Sequence, residues 1–416
     1  MIFNGSKFNN HWKTKSLRDL GEFNRGKSKH RPRNDQKLFE NGKYPLIQTG
    51  DVKKANLFIN EHSSVYSEFG LAQSKLWPEN TLCITIAANI AETALLSYEM
   101  CFPDSVVGFI ADQNECSEIY MHYVFTYIKR SIQERIQGSI QDNINLEYLT
   151  GLRFRIPEIK EREAIENVLY TLDAKIELNN KINAELESMA KLIYNYWFVQ
   201  FDFPDENGKP YKSSGGKMVY NDRLNREIPQ GWINGELQDI ANITMGQSPS
   251  GDSYNEDRKG DVFYQGCTDF GLRFPTNRKF TTKPTRFAKR GDILLSVRAP
   301  VGTMNIANED CCIGRGLAAL NSKDGSITYL DGVLQHMKQI FDLRNASGTT
   351  FGSITKGDLF SIPVIIPDNR TLQRFREVTN NMFEKQNLIG SENRILEDLR
   401  DWLLPMLMNG QVTIKD

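Results

Sequence analysis

The chain has 416 residues, 39% hydrophobic and 25% charged, with 30 Gly and 15 Pro; it is too long for one domain of ordinary size and too poor in Gly and Pro for a disordered protein. It has no apolar run of the roughly 18 residues a membrane span needs and no signal-peptide core near its start, so a cytoplasmic location and no membrane partner are expected. Its 51 basic and 52 acidic residues leave a net charge of −1, which as an average argues against nucleic acid, and six cysteines (Cys83, Cys101, Cys116, Cys267, Cys311, Cys312) without a C-x-x-C pair point to reduced thiols rather than a metal site or a disulfide framework.

In chain order, residues 1–157 read as a mixed domain of short strands, with apolar runs such as 81–86 bounded by turn formers. Residues 158–201 turn helical, with a stripe at 165, 168, 172, 175, 179, 182, 186, 189, 193 and 196 that steps by three and four. Residues 202–231 hold four Gly and three Pro and predict an extended linker. Residues 232–367 return to short strands, as at 293–297 and 362–366, and 368–416 form a second helix striped at 375, 378, 382, 385, 389, 392, 396, 399, 403 and 406. Lys175 and Lys385 interrupt the two stripes at the same step. With Asn179 they are the polar positions that would set the register of an antiparallel pair. Pro405 is expected to end the second helix, with Gly410 just beyond.

The two halves repeat each other at an offset of 210 to 220 residues. Leu17-Arg18-Asp19 matches Leu237-Gln238-Asp239, and Gly26-Lys27-Ser28 matches Gly246-Gln247-Ser248. Gln48 matches Gln265, residues 84–88 match 295–299, and Gly138, Ile144, Leu149 and Ile156-Pro157 match Gly348, Ile354, Leu359 and Ile366-Pro367. The predicted class is therefore α+β: two mixed α/β domains related by an internal repeat and joined by a long antiparallel two-helix coiled coil, an elongated molecule with a rod between two globular ends.

Resolved along the chain, the charge is not even. Residues 7–54 carry thirteen Lys/Arg and five acids, and 273–290 carry seven basic residues and no acid, whereas 158–206 carry eleven acids and five bases. Two basic regions at matching places in a repeat point to an extended anionic partner. Catalytic patterns are missing. Ser213-Ser214-Gly215-Gly216-Lys217-Met218 lacks the first Gly and the hydroxyl of a phosphate-binding loop. Glu158 with Asp173-Ala174-Lys175 makes only a forced nuclease pattern. A non-catalytic binding subunit follows.

The run from Leu192 to Trp232, which begins LIYNYWFVQFDFP, together with Gly246-Gln247-Ser248-Pro249, SVRAPVGTMNIA, CIGRGLAAL and GTTFGSITKGDLFSIPVIIP, resembles the specificity subunits of type I restriction-modification systems over essentially the whole chain. The first half departs from this pattern, with Lys29 where the second has Pro249 and Ala87-Ala88-Asn89 where it has Arg298-Ala299-Pro300. The resemblance implies two target-recognition domains, each reading half of a split, asymmetric site on double-stranded DNA. It also implies a coiled-coil spacer that sets the gap and docks two methyltransferase subunits, and motor-nuclease subunits that complete the complex. N6-adenine methylation with S-adenosylmethionine, and cleavage driven by ATP and Mg2+, would belong to those partners; this chain would bind no cofactor.

For DNA contact the candidates are Lys27, Lys29, Arg31, Arg33, Lys53 and Lys54 in the first domain, and Gln247, Ser248, Arg273, Arg278, Lys279, Lys283 and Arg286 in the second. Arg298 and Arg315, in or beside apolar runs, are either further contacts or paired structural residues. Trp197 and Phe198 either dock a methyltransferase subunit or close a core. The competing reading is a coiled-coil scaffold that holds two protein partners and touches no DNA.

Overall fold

The computed structural model describes residues 2–137, 146–346 and 353–414; Gly138, Ile144 and Gly348 of the repeat lie outside them. The chain divides into two units: unit 1 is Met1–Leu178 with Asn393–Asp416, and unit 2 is Asn179–Glu392. Each long helix therefore contributes to both.

Unit 1 is built on a five-stranded sheet in the order Gly21–Arg25, Val106–Ala111, Leu82–Thr85, Thr93–Leu96, Phe58–Ile59. A second sheet runs Ser64–Tyr66, Tyr44–Leu46, Met100–Cys101, Leu76–Trp77. The helix Glu118–Gln137 covers the first sheet and buries Tyr120, Met121, Val124, Phe125, Ile128 and Ile132, the spacing of one helical face. Unit 2 has the counterparts: Ala241–Met245, Leu317–Ser322, Ile293–Ser296 and Met304–Ile306 in one sheet, and Tyr254–Asn255, Phe280–Thr281, Asp261–Tyr264, Cys311–Ile313 and Phe287–Ala288 in the other, with the helix Ile327–Ala346.

The repeat holds down to register. Arg25 faces Val107 as Met245 faces Ala318, Leu82 faces Leu95 as Ile293 faces Ile306, and Lys13 faces Ile156 as Ile233 faces Ile366. Because a one-residue slip would turn every side chain to the wrong face, matched registers mean matched cores. Each unit also ties an indole N–H to a carboxylate on the opening segment of a long helix: Trp12 Nε1 to Glu161 Oε2 and Trp232 Nε1 to Asp368 Oδ2, both at 3.0 Å.

The long helices run Ile159–Tyr194, followed by a wider π-type turn Asn195–Val199, and Asn369–Met408. Within each unit their segments pair antiparallel. In unit 1 Asp173 meets Arg400, and in unit 2 Asn179 meets Glu392 and Gln386 reaches Asn183. The buried stripe shares 165, 179, 375 and 389 with the predicted one but falls one residue later at other steps: Leu169, Asp173, Ile176 and Trp197 on the first helix, and Thr379, Gln386, Asn393 and Leu407 on the second. Lys175 and Lys385 are exposed and do not interrupt the seam. Val378, by contrast, is 45% exposed and Thr379 only 2%.

Two further expectations change. Residues 202–231 are folded onto unit 2 rather than extended: Phe203 stacks between Tyr211 (4.7 Å) and Trp232 (4.9 Å), and Met218–Asn221 pairs with Arg226–Pro229 as a hairpin. Aromatic residues within the turn-rich stretch supply the burial that Gly and Pro do not. Pro405 lies inside the second helix, which continues one turn past it. The missing N–H would have bonded to the Asp401 carbonyl, and Asp401 is exposed, so water can take its place. The stop comes at Gly410, with φ of +75° and its N–H on the Leu407 carbonyl.

Candidate nucleic-acid interface

In unit 2 four chain segments meet backbone to backbone. Gln247 N donates to the Ile313 carbonyl (3.0 Å), Gly314 N to Tyr264 O (2.8 Å), Gly316 N to Gln265 O (3.2 Å) and Val297 N to Gly316 O (3.0 Å). Glycine is required for this approach: a β-carbon on Gly246 would run into the Gly314 carbonyl, and one on Gly316 would lie 2.7 Å from Gln265 O. Ser248 Oγ accepts from Gln265 Nε2 (3.1 Å) and from Arg315 N (3.4 Å), and the Thr285 hydroxyl donates to the Gln247 carbonyl. Ile313 N bonds to Arg286 O at 2.9 Å. The locus so assembled carries Gln247, Ser248, Gln265, Arg286, Arg298 and Arg315, with no acid among them, and all but Ser248 are exposed.

Unit 1 builds the same frame. Gly26 N donates to Val106 O (2.9 Å), Lys27 N to Phe102 O (3.1 Å), and Ile86 N to Ser105 O (3.0 Å), the counterparts of the unit 2 bonds from Gly246 N to Leu317 O, Gln247 N to Ile313 O and Val297 N to Gly316 O; Pro103, which has no N–H, stands at the Gly314 position. The side chains differ. Lys27 stands where unit 2 has Gln247, Ala87 where it has Arg298, and Asp104 where it has Arg315. Asp104 accepts from Arg33 Nη2 through both oxygens, at 2.9 and 3.1 Å.

The predicted residues sort against these frames. In unit 1 all six are exposed. Lys27 and Lys29 are on the segment clamped to the 102–105 turn, Arg33 reaches that turn, Arg31 folds back on the Ser28 and His30 carbonyls, and Lys53 Nζ, next to Lys54, donates to Asn89 (3.2 Å). In unit 2 Gln247, Ser248 and Arg286 belong to the locus. Lys279 is exposed, while Arg278 is paired with the buried Asp269, and Lys283 with Asp252 at 3.0 Å. Hydrogen bonds from Ser250 and Lys283 hold the Asp252 carboxyl below its ordinary range.

Arg273 is corrected. It turns inward, stacked 4.6 Å over Phe383 with Nε on Asn387 (3.1 Å), and burial lowers its pKa against the pull of Asp331 and Glu187. Its guanidinium is engaged by Phe383 and Asn387 rather than presented with the exposed Lys279 and Arg286. Trp197 and Phe198 are corrected as docking groups, since both are buried in the core of unit 2 against Phe375. Arg298 and Arg315 are exposed and form no ion pair among the described residues. Gln265 was not among the expected contacts, and Arg315 stood only as either a further contact or a paired structural residue. The signal that marks Arg315 is a Gly-Arg-Gly step inside an otherwise apolar run.

Among the described residues no cluster of His, Cys, Asp or Glu could hold a metal, and no helix is long and apolar enough to cross a membrane. Residues 9–188 and 229–385 match the model of the type I restriction modification DNA specificity domain. The chain is 29% identical over 319 residues to the putative type I restriction enzyme MjaX specificity subunit of Methanocaldococcus jannaschii, covering 73% of this chain and 70% of that one. It is 25% identical over 426 residues to the MjaIX specificity subunit of the same organism, covering 97% and 94%. The fold is shared with the type I restriction-modification S subunit from M. genitalium, at TM-score 0.57 and 17% identity over 98% of this chain and 99% of that one.

Proposed function

The chain belongs to the type I restriction modification DNA specificity family, whose role is sequence recognition, and on that premise we propose that each of its units reads one half of a bipartite, asymmetric DNA site. The observation that carries this reading is one backbone frame built twice with different side chains at its exposed turn. Equal frames dock alike on a duplex, and unequal side chains ask for unequal bases. Lysines and arginines around each frame supply phosphate contacts and register, and the side chains at the turn supply choice.

The paired helices set the gap between half-sites and dock two methyltransferase subunits. Large apolar side chains on their open faces support docking there: Leu192 and Leu388 in unit 2, and Ile395 and Trp402 in unit 1. Motor-nuclease subunits complete the complex in the cytoplasm. S-adenosylmethionine, ATP and Mg2+ are used by the partners for N6-adenine methylation and restriction, and this chain supplies no catalytic group.

The test exchanges residues 1–157 for those of another family member and reads the methylated motif by sequencing host DNA. One half-site should change and the other persist; a change in both, or in neither, would overturn the two-reader model. The scaffold reading is tested with Lys279→Glu and Lys283→Glu. A salt-dependent loss of DNA affinity in an intact complex removes it, and unaltered affinity favours it over DNA contact at these lysines.

A further inference from the structure

We infer that Arg315 is the base-reading residue of unit 2 and that it selects a guanine in that unit's half-site. The inference rests on the reading of the chain as a DNA specificity subunit and deepens it by naming the reader and the base.

Four observations converge on this residue. Arg315 sits at the centre of the locus, between Gly314 and Gly316, both buried and both held against the backbone of Gln265. Neighbours without side chains leave nothing to hold a base edge away from the guanidinium. The turn is fixed on three sides by the bonds of Gly314, Gly316 and Val297, so Arg315 loses little backbone freedom on contact. Its side chain has no ion pair among the described residues, whereas Arg278 is engaged by Asp269, Lys283 by Asp252, and Arg273 is enclosed. Finally, Ser248 Oγ joins the Arg315 backbone N–H to the Gln265 side-chain amide, and the segments hydrogen-bonded to this turn carry the exposed Gln247, Arg286 and Arg298.

A free arginine on a rigid tip among amides fits the guanine edge, whose O6 and N7 are two acceptors matched to the guanidinium fork. The corresponding turn of unit 1 presents Asp104 instead, and a carboxylate has no donor to offer those acceptors. The guanine requirement attributed to Arg315 therefore belongs to one half-site only.

The full chain is assembled with its methyltransferase subunits, given duplex DNA randomised in both half-sites, and the methylated fraction is sequenced. The wild-type complex should select a bipartite motif with a guanine in the unit 2 half. In Arg315→Ala, selectivity at that guanine should fall about five- to hundredfold. The other half-site stays unchanged and reports that the complex is folded. Arg315→Lys keeps the charge and donors but not the planar fork, so its guanine selectivity should fall between wild type and alanine. If the alanine variant keeps the preference, its methylation weakened equally across sequences and recovered by lysine, Arg315 is a phosphate contact and the inference is overturned. A wild-type complex that selects no motif would instead overturn the parent reading.

Discussion

Inside unit 1 Asp173 is held by two donors: Arg400 Nη1 at 2.8 Å on one oxygen and the Tyr123 hydroxyl at 2.7 Å on the other. The Asp173 side chain is 5% exposed, so removing the guanidinium strands a buried charge. We expect Arg400→Met to cost about 3–5 kcal/mol in denaturant unfolding. Asp173→Leu combined with Arg400→Met should cost less, and equal losses in the single and double variants would show that the pair is not the cause. His122 lines the same small cavity with Tyr123, Lys129, Glu92, Asp173 and Arg400, and donates to or accepts from Thr93 at 3.0 Å. Burial lowers its pKa from 6.5 to about 4, with Asp173 opposing and Arg400 adding to the shift. The unfolded chain then binds a proton that the folded one refuses between those values, so this contribution is complete above pH 6.5 and lost as pH falls toward 4. Its full size is on the order of 3 kcal/mol. His122→Gln should flatten the fall in unfolding midpoint over that window relative to wild type, and an identical pH profile would refute the assignment.

The long helices show why a periodic stripe can be found and still be placed wrongly. Two neighbouring stripes on a helix share one position in each heptad and differ by one residue at the other. The stripe through Val168, Met189, Tyr196, Val378 and Leu399 reads as apolar, yet Met189 and Val378 are half exposed. The seam that is buried runs through Thr379, Gln386 and Asn393 toward the half-buried Arg400, and its polar groups find partners: Thr379 Oγ1 meets Thr328 Oγ1 at 2.9 Å and Gln386 Nε2 reaches the Asn183 carbonyl at 3.4 Å. Satisfied polar groups cost little to bury, so hydropathy alone chose the wrong alternate positions. The register is open to a direct check. Ile176→Ala should destabilise by about 2–5 kcal/mol and Lys175→Ala by under about 1 kcal/mol. The reverse order, measured by thermal or denaturant unfolding, would restore the predicted stripe.

At the scale of the whole molecule, the net charge of −1 is the sum of unlike regions, and the proposed DNA affinity belongs to the basic ones. Reversing Lys27 and Lys29 to Glu should weaken DNA binding across all sequences and make its dependence on salt shallower, while the unit 2 half-site preference stays as it was; an unchanged salt slope would place both lysines off the DNA. The repeat, the α+β class, the order of the elements and the asymmetry of charge were all legible in the amino-acid order. Each is a one-dimensional property: offsets, periods and local composition survive without knowing what packs on what. Tertiary structure alone decided that Arg273 turns inward while Arg315 faces out, that Trp197 and Phe198 close a core, that the Gly- and Pro-rich stretch folds on Phe203 and Trp232, and that polar residues line the helix seam. In every case the residue type was compatible with both outcomes. What chose between them was the presence of a partner from a distant part of the chain, which no local pattern records.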